Sequence, residues 1–454
     1  MNFPSHIFKA YDIRGLAGQE LTVDLAYKIG RAVGVFLHKD GISGERAVVG
    51  RDMRATSPEF AQAATQGLLD EGLNVADIGL VSTPLFNFAC AHYPGNMGGL
   101  MVTASHNPAA YNGFKVTLRD GTPVGLENGL AEIRDLAQAG DFVPALSGGQ
   151  VFAQDVLPDY LARVMSVVDV KTLRPLKIVV DAGNGMAKAS IPKLLQQLPV
   201  QVEYLYLEPD GNFPNHEANP LKLETLKDLQ AKVVATGADF GFALDGDADR
   251  IGLVDEQGQI VDASFVGALV GLEVLKNNPG ALMLYDLRSS RIVKDMWQAA
   301  GATTEMCQVG HAHIKRLMKE NGAVFASELS LHLYYKTMYD CESSDLSLLY
   351  LLQMLSRADK PLSALVQPLK KYFHSGEINF EVKDKVAVIK NLENKYASSA
   401  KKVSHLDGLW MEFNWGWFNV RASNTEPVLR LNLEAWEEGA MGEKLAEVKN
   451  EIEK

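Results

Sequence analysis

Asp239-Phe-Gly-Phe-Ala-Leu-Asp-Gly-Asp-Ala-Asp-Arg250 joins a short apolar run to an acidic loop. Five residues from Phe240 to Leu244, apolar apart from Gly241, suit a buried strand of an α/β sheet. Three carboxylates then follow at alternate positions, Asp245, Asp247 and Asp249, with small residues between them that let the loop curl. Hard divalent cations take oxygen ligands, so the three aspartates can converge on one ion. An EF-hand also begins DxDxD, and Glu256 falls in twelfth place. That motif needs Gly at position six, where Arg250 stands, and it follows a helix rather than a strand. A solvated acidic turn is the remaining plain alternative. Three carboxylates leave a metal sphere incomplete, and an oxygen of a phosphoryl group could complete it, as Mg²⁺ is commonly used in phosphoryl transfer.

Outward from this stretch the chain repeats itself loosely. Three segments each open on an apolar strand ending in a charged or turn residue: Ala47–Asp52, Lys177–Asp181 and Ala281–Asp286. Each has a later strand that ends in a polar loop: Thr103-Ala-Ser-His-Asn-Pro108, Asp245–Arg250 and Ser327-Glu-Leu-Ser330. We read three copies of one α/β unit with a functional loop at a strand's C-terminal end, where open α/β sheets bind ligands; recurrent α/β patterning without duplication would look similar. Beyond Pro368 the pattern changes. Ile378–Val382, Leu409–Phe413 and Trp417–Arg421 alternate like antiparallel strands, and a helix over Gly439–Lys454 follows. The expected fold is therefore three similar α/β domains with mixed sheets plus a smaller C-terminal α+β domain. The Gly/Ala/Ser-rich stretch Ala137–Gln150 and the turn at Glu256 set the expected boundaries: 1–148, 149–255, 256–368 and 369–454.

The 454 residues carry a formal net charge of −12, which argues against a general nucleic-acid binder with a basic face. A local pocket of Arg and Lys can still hold a small anion. Cys90, Cys307 and Cys341 lack metal-like spacing and read as free thiols of a reducing cytosol. Met1–Gly15 has no apolar core of a signal peptide. Leu346–Leu355, the longest near-apolar run, is too short for a bilayer and reads as a buried helix. A cytoplasmic protein without a membrane partner is expected.

Ser105 follows the apolar run Gly98–Val102 and precedes His106-Asn107-Pro108, so it sits on a tight turn. That presentation suits a nucleophile, and a plain Ser/Asx turn suits it equally. No GxSxG elbow is present, which disfavours an acyl-transfer triad. Glu328 and Ser330, two apart, would share a face if extended and could grip vicinal sugar hydroxyls, with His332 close by; a helix start would explain them as well. Arg421-Ala-Ser-Asn-Thr-Glu-Pro427, with Arg430 beyond, offers two guanidiniums and a run of loop N–H groups, a pattern that suits a phosphate. Arg14, Lys115, Arg250 and His311 are further cations that could neutralise a phosphoryl group in transit.

TASHNP, DGDADR, SELS and RASNTEP, in this order, resemble the α-D-phosphohexomutase family, and within it the bacterial phosphomannomutase/phosphoglucomutase enzymes. The resemblance runs over essentially the whole chain and includes YDIRG at 11–15, YNGFK at 111–115, PDGNFPNHEANP at 209–220 and VGHAHIK at 309–315. It implies four domains around a central cleft, the fourth a mobile lid, each giving one loop. It implies that Ser105 is the phosphoserine and that Asp245, Asp247 and Asp249, with an oxygen of Ser105's phosphoryl group, hold Mg²⁺. Glu328 and Ser330 match sugar-hydroxyl ligands. Arg421, Ser423, Asn424 and Thr425 match the loop for the non-reacting phosphate. Arg14, Lys115, His311 and, beside the serine, His106 match groups that stabilise charge or move protons, and Arg250 and Arg288 match further substrate contacts. The implied reaction interconverts hexose 6-phosphate and hexose 1-phosphate, mannose preferred and glucose also used, with hexose 1,6-bisphosphate as intermediate and activator. The implied protein is a monomer or homodimer acting on small hexose phosphates.

Four positions depart from the family pattern. Ser327 and Leu331 stand where Gly, and Gly or Ala, are usual; Gln308 replaces a cation; Ala248 takes the place where Gly is commonest. These bear on sugar choice more than on reaction type. Alternatives are a phosphoglucosamine mutase, which usually has Gly where Asn424 stands, and a catalytically weakened homologue that only binds sugar phosphates. A DxD glycosyltransferase leaves the Ser105 and Arg421 loops unexplained.

Overall fold

A computed structural model describes residues 3–39, 45–143, 145, 147–423 and 428–454. The chain has a four-domain α/β architecture, with mixed sheets in the first three domains and an antiparallel sheet in the C-terminal one. It divides into two compact units, one holding residues 1–261 and 330–362, the other 262–329 and 363–454.

In the first unit a six-stranded sheet runs Ile13–Leu16, Tyr111–Leu118, Asn96–Val102, Arg46–Arg51, Asn74–Leu80, Val151–Ala153. The first two joins are antiparallel and the rest parallel. All seven residues of Asn96–Val102 are buried, as befits a strand covered on both faces, so Ser105 leaves the sheet at its interior rather than at an edge. The helices Val23–His38 and Ser57–Asp70 pack on one another and share a core with this sheet through Ile29, Val33, Phe60, Leu68, Leu100 and Phe114. A second, five-stranded sheet runs Ile260–Val261, Ile251–Asp255, Phe240–Leu244, Leu176–Asp181, Val200–Leu205. Phe240–Leu244 and Ile251–Asp255 pair antiparallel with Leu244 opposite Ile251, so the acidic stretch 245–250 is the loop of a hairpin. The same unit contains the hairpin Leu333–Tyr335 with Cys341–Glu342 and the helix Ser344–Ala358. That helix is buried continuously from Ser344 to Leu355, which is why its sequence is apolar on every side.

In the second unit Leu282–Asp286 is flanked by parallel strands Thr303–Cys307 and Phe325–Ser327. The C-terminal sheet, ordered Phe373–Phe380, Leu429–Ala435, Gly416–Ala422, Leu409–Glu412, Lys402–Ser404, is antiparallel throughout. The helix Glu438–Ile452 packs on it through Val448 and Ile452. Leu287, Trp410 and Trp417 form a further buried cluster, with Met306, Val309 and Trp436 against it.

Candidate active site

Ser105 lies just past the strand end, 2% exposed, with φ +50°. A left-handed serine is strained by roughly 1–2 kcal/mol, so its surroundings must hold it. Thr103 Oγ1 accepts from Ser105 N at 3.0 Å. The larger constraint is Arg54, which is 1% exposed and uses all five of its N–H donors. Its Nη2 donates to Ser105 O at 2.8 Å and Asn107 O at 2.6 Å, and its Nη1 to Pro108 O at 2.8 Å and Tyr111 O at 2.9 Å. Its Nε donates to Asp52 Oδ2 at 3.2 Å, and the Phe213 ring covers the guanidinium at 5.3 Å.

The hydroxyl of Ser105 donates to Asp245 Oδ2 at 3.0 Å and lies 3.2 Å from His106 Nδ1. Gly246 makes this meeting possible, because a Cβ there would stand 2.5 Å from Ser105 O. Asp245 Oδ1 accepts from the backbone N–H groups of Asp249 (3.1 Å) and Arg250 (3.2 Å), which curls the hairpin loop. Ala248 at its apex has φ +59°, and Ser344 Oγ donates to its carbonyl at 2.7 Å.

Oxygens of Asp245, Asp247 and Asp249 lie within 4.8 Å of one another. Asp247 Oδ2 accepts from Thr83 Oγ1 and from Lys115 Nζ, each at 2.6 Å, and Asp249 Oδ2 accepts from Lys115 Nζ at 2.7 Å. Asp247 Oδ1, by contrast, is buried with no hydrogen-bond partner among the described residues. An all-oxygen donor set with one unsatisfied buried carboxylate oxygen fits a hard divalent cation. The electrostatics agree. Burial, then Asp249 and Asp247, push Asp245 well above the usual carboxylate range. Burial opposes charge on Lys115, but Asp247 and Asp249 outweigh it and keep the ammonium protonated. Burial, then Arg250 and Arg14, push His106 well below its ordinary range, so its imidazole is neutral.

Other sequence candidates of the first unit surround this centre. Arg14 donates to Asn107 Oδ1 at 2.9 Å and pairs with Asp12. Arg250 Nε lies 3.3 Å from His332 Nε2, which lies 3.2 Å from Asp249 Oδ1, and Ser330 Oγ lies 3.0 Å from His332 Nδ1. Residues 329–330 form a turn, neither an extended segment nor a helix start. Leu331 follows at φ +71° with its carbonyl accepting from Ile251 N at 3.1 Å.

The second unit gathers the other set. Arg288 is clamped by Asp286 through its Nη2 (2.8 Å) and Nε (3.3 Å) and reaches Glu328 Oε1 at 3.4 Å. Gly310 N donates to the same Glu328 oxygen at 3.1 Å, and His311 opens the helix that follows. Ser327 is accommodated by Gly267, where a Cβ would stand 2.7 Å from that of Ser327, and its buried hydroxyl has no partner among the described residues. Arg421 and Arg430 are direct cross-strand partners, and Ser423 N donates to Val428 O at 3.0 Å. Asn424 and Thr425 lie outside the described residues.

Arg54, Thr83 and Ser344 escaped the sequence reading. Arg54 lies two residues past the strand-ending Asp52, and that was the available signal; nothing local marked Thr83 or Ser344.

Four family models match in succession: phosphoglucomutase/phosphomannomutase alpha/beta/alpha domain I over residues 5–144, domain II over 158–258, domain III over 262–372 and the C-terminal domain over 377–452. The chain is 38% identical to phosphomannomutase of Escherichia coli (strain K12) over 436 residues, 94% of each protein. It is 38% identical to phosphomannomutase/phosphoglucomutase of Pseudomonas aeruginosa (strain PAO1) over 436 residues, 95% of this chain and 92% of that protein. A crystal structure of a phosphoglucomutase/phosphomannomutase family protein from Burkholderia thailandensis superposes with a TM-score of 0.91 at 35% identity, covering 100% of this chain and 98% of the other. Among the described residues no helix is long and apolar enough to cross a membrane.

Proposed function

This chain belongs to the phosphoglucomutase/phosphomannomutase family and is a hexose phosphate mutase, an isomerase; on that premise we propose that it works through a phosphorylated Ser105 and a hexose 1,6-bisphosphate intermediate, with mannose preferred and glucose also used. The observation that carries the reading is the Ser105 hydroxyl itself. It lies 3.0 Å from Asp245 and 3.2 Å from a neutral His106, on a loop held by four of the five donors of Arg54.

Phosphorylated Ser105 gives its phosphoryl group to the free hydroxyl of a bound hexose phosphate. The P–Oγ bond breaks, a P–O bond to the sugar forms, and the sugar hydroxyl's proton ends on Ser105 Oγ. His106 is the group beside that atom able to relay the proton. The bisphosphate then turns end for end, and Ser105 takes back the other phosphoryl group. Asp245, Asp247 and Asp249 would hold Mg²⁺, which when bound supplies positive charge to the phosphoryl oxygens. Lys115 balances two of these carboxylates, and Arg14 and Arg250 bring further charge to the same centre. Arg288, Glu328, Ser330 and His311 are read as sugar contacts or proton carriers. Arg421, Ser423, Asn424, Thr425 and Arg430 are read as the hold on the non-reacting phosphate. Hexose 1,6-bisphosphate would activate by phosphorylating Ser105. The Asn of the RASNTEP loop and the names of the relatives support hexoses over hexosamines.

With Mg²⁺ and a catalytic amount of glucose 1,6-bisphosphate, the protein should convert mannose 1-phosphate faster than glucose 1-phosphate. Intact-mass measurement should show a mono-phosphorylated form that is absent from Ser105→Ala. A fully active Ser105→Ala protein would end this reading; faster turnover of glucose 1-phosphate would reverse the sugar preference alone.

A further inference from the structure

Glu377 stands in the strand Phe373–Phe380, at a register shift between His374 and Glu377. Three guanidiniums converge on its carboxylate. Its Oε2 accepts from Arg288 Nη1 at 3.3 Å and Arg421 Nη2 at 3.4 Å, and its Oε1 lies 3.2 Å from Arg430 Nη1. Asn432 Nδ2 donates to Oε2 at 3.4 Å. Nothing in the chemistry assigned above uses this residue.

Two features separate it from an ordinary structural ion pair. Its contacts are long. Charge-assisted bonds usually close to about 2.7–2.9 Å, and Arg288 reaches Asp286 at 2.8 Å. Glu377 is spread over three donors and seated tightly on none. Its side chain is also 24% exposed while that of Arg421 is 2% exposed, so the anion is more open to water than the cation it faces. Arg421 Nε is buried with no hydrogen-bond partner among the described residues. One monoanion therefore stands loosely in front of cations that a phosphate, with more oxygens and more charge, would satisfy better. The pull of the arginines is felt in return: burial would raise the Glu377 pKa, but Arg288, Arg430 and Arg421 outweigh it and keep it below its ordinary value.

We propose that Glu377 is a resident counter-anion that competes with the substrate's non-reacting phosphate for Arg421 and Arg430, and so sets how readily that phosphate is exchanged. This rests on the reading that these two arginines hold that phosphate. A mutase that must release and recapture a bisphosphate end for end needs a hold that lets go. A carboxylate that returns to the arginines lowers the cost of leaving them, because buried guanidiniums are not left bare.

The test is a titration of tryptophan emission with inorganic phosphate and with mannose 1-phosphate, using wild type, Glu377→Gln and Arg421→Gln, together with steady-state kinetics. Glutamine keeps the size and one acceptor oxygen, removes the charge and turns the other oxygen into an N–H donor that repels the guanidiniums. Glu377→Gln should bind inorganic phosphate roughly tenfold more tightly, the scale of one removed like charge near the protein surface. Its KM should fall and its kcat should fall with it, a split that mere loss of packing would not give. Arg421→Gln should lose phosphate binding. Phosphate affinity unchanged or weakened in Glu377→Gln, with binding lost in Arg421→Gln, overturns the competition and leaves the phosphate-loop reading standing. Wild-type affinity in Arg421→Gln overturns both. Should Glu377→Gln fold poorly, Glu377→Ala carries the same expectation for phosphate affinity.

Discussion

Arg54 is the residue on which the geometry of Ser105 depends most. Four backbone carbonyls of one loop accept from a single planar guanidinium, and the fifth donor faces Asp52. Lysine is no substitute, since three tetrahedral donors on a flexible stem cannot serve four fixed acceptors. Each buried carbonyl left unmatched costs about 1–3 kcal/mol, and the left-handed Ser105 has less to hold it. If Ser105 is the phosphoryl carrier proposed above, Arg54→Lys should lower kcat by about a hundredfold with KM within about twofold, because the loop would then carry the reacting group and not the hold on the sugar. The measurement is steady-state kinetics on protein shown folded by circular dichroism. The acidic residues were readable in sequence order because their spacing is itself the motif. Arg54 was not, because its acceptors lie about fifty residues away and are main-chain groups without a sequence signature.

At the scale of elements, the hairpin loop 245–250 and the helix Ser344–Ala358 work as a pair. Ser344 in the first turn of the helix holds the carbonyl of Ala248, so the helix start supports the loop that carries the three aspartates. Its neighbour Asp345 is buried, accepts from Tyr160 Oη at 2.9 Å, and has one oxygen without a partner among the described residues. Burial pushes its pKa up to about 6, against hydrogen bonds from Ser190 and Tyr160 that lower it. A carboxyl whose folded value is raised stabilises the protein below its unfolded pKa, near 3.8, and loses that contribution as pH rises to about 6. Asp345→Asn removes the titration and keeps an acceptor for Tyr160. The variant should match wild type near pH 4 and gain on it up to about pH 6, by on the order of 2–3 kcal/mol, with a constant gap above. Denaturant unfolding at pH 4.0, 5.0, 6.0 and 7.5 checks this; a gap that does not change with pH refutes it. Leu346–Leu355 had been legible as a buried helix from its run of apolar residues. Its N-terminal contacts had not, since they reach back to Tyr160 and Ala248.

For the whole molecule, all five tryptophans (Trp297, Trp410, Trp415, Trp417 and Trp436) fall in the second compact unit. Their emission therefore reports the unfolding of the unit that contains Arg288, Arg421 and Arg430. If the phosphate is held there, mannose 1-phosphate at about a hundred times its Kd should raise the stability seen by tryptophan emission by about 2.7 kcal/mol. Arg421→Ala should abolish that shift, and a shift of full size in the variant would place the phosphate elsewhere.

The four-domain α/β architecture and the reaction class followed from the order of residues alone. Strand periodicity, turn residues and ligand spacing are local properties, and TASHNP, DGDADR, SELS and RASNTEP each lie within a few consecutive residues. The supports of those loops came only with the folded chain. Thr83 meets Asp247 across 164 residues, His332 meets Asp249 across 83, and Glu377 faces Arg288 across 89. Such contacts depend on which strand ends the topology brings together, and on buried donors and acceptors that must find partners once water is gone. Neither requirement leaves a trace in the spacing of residues along the chain.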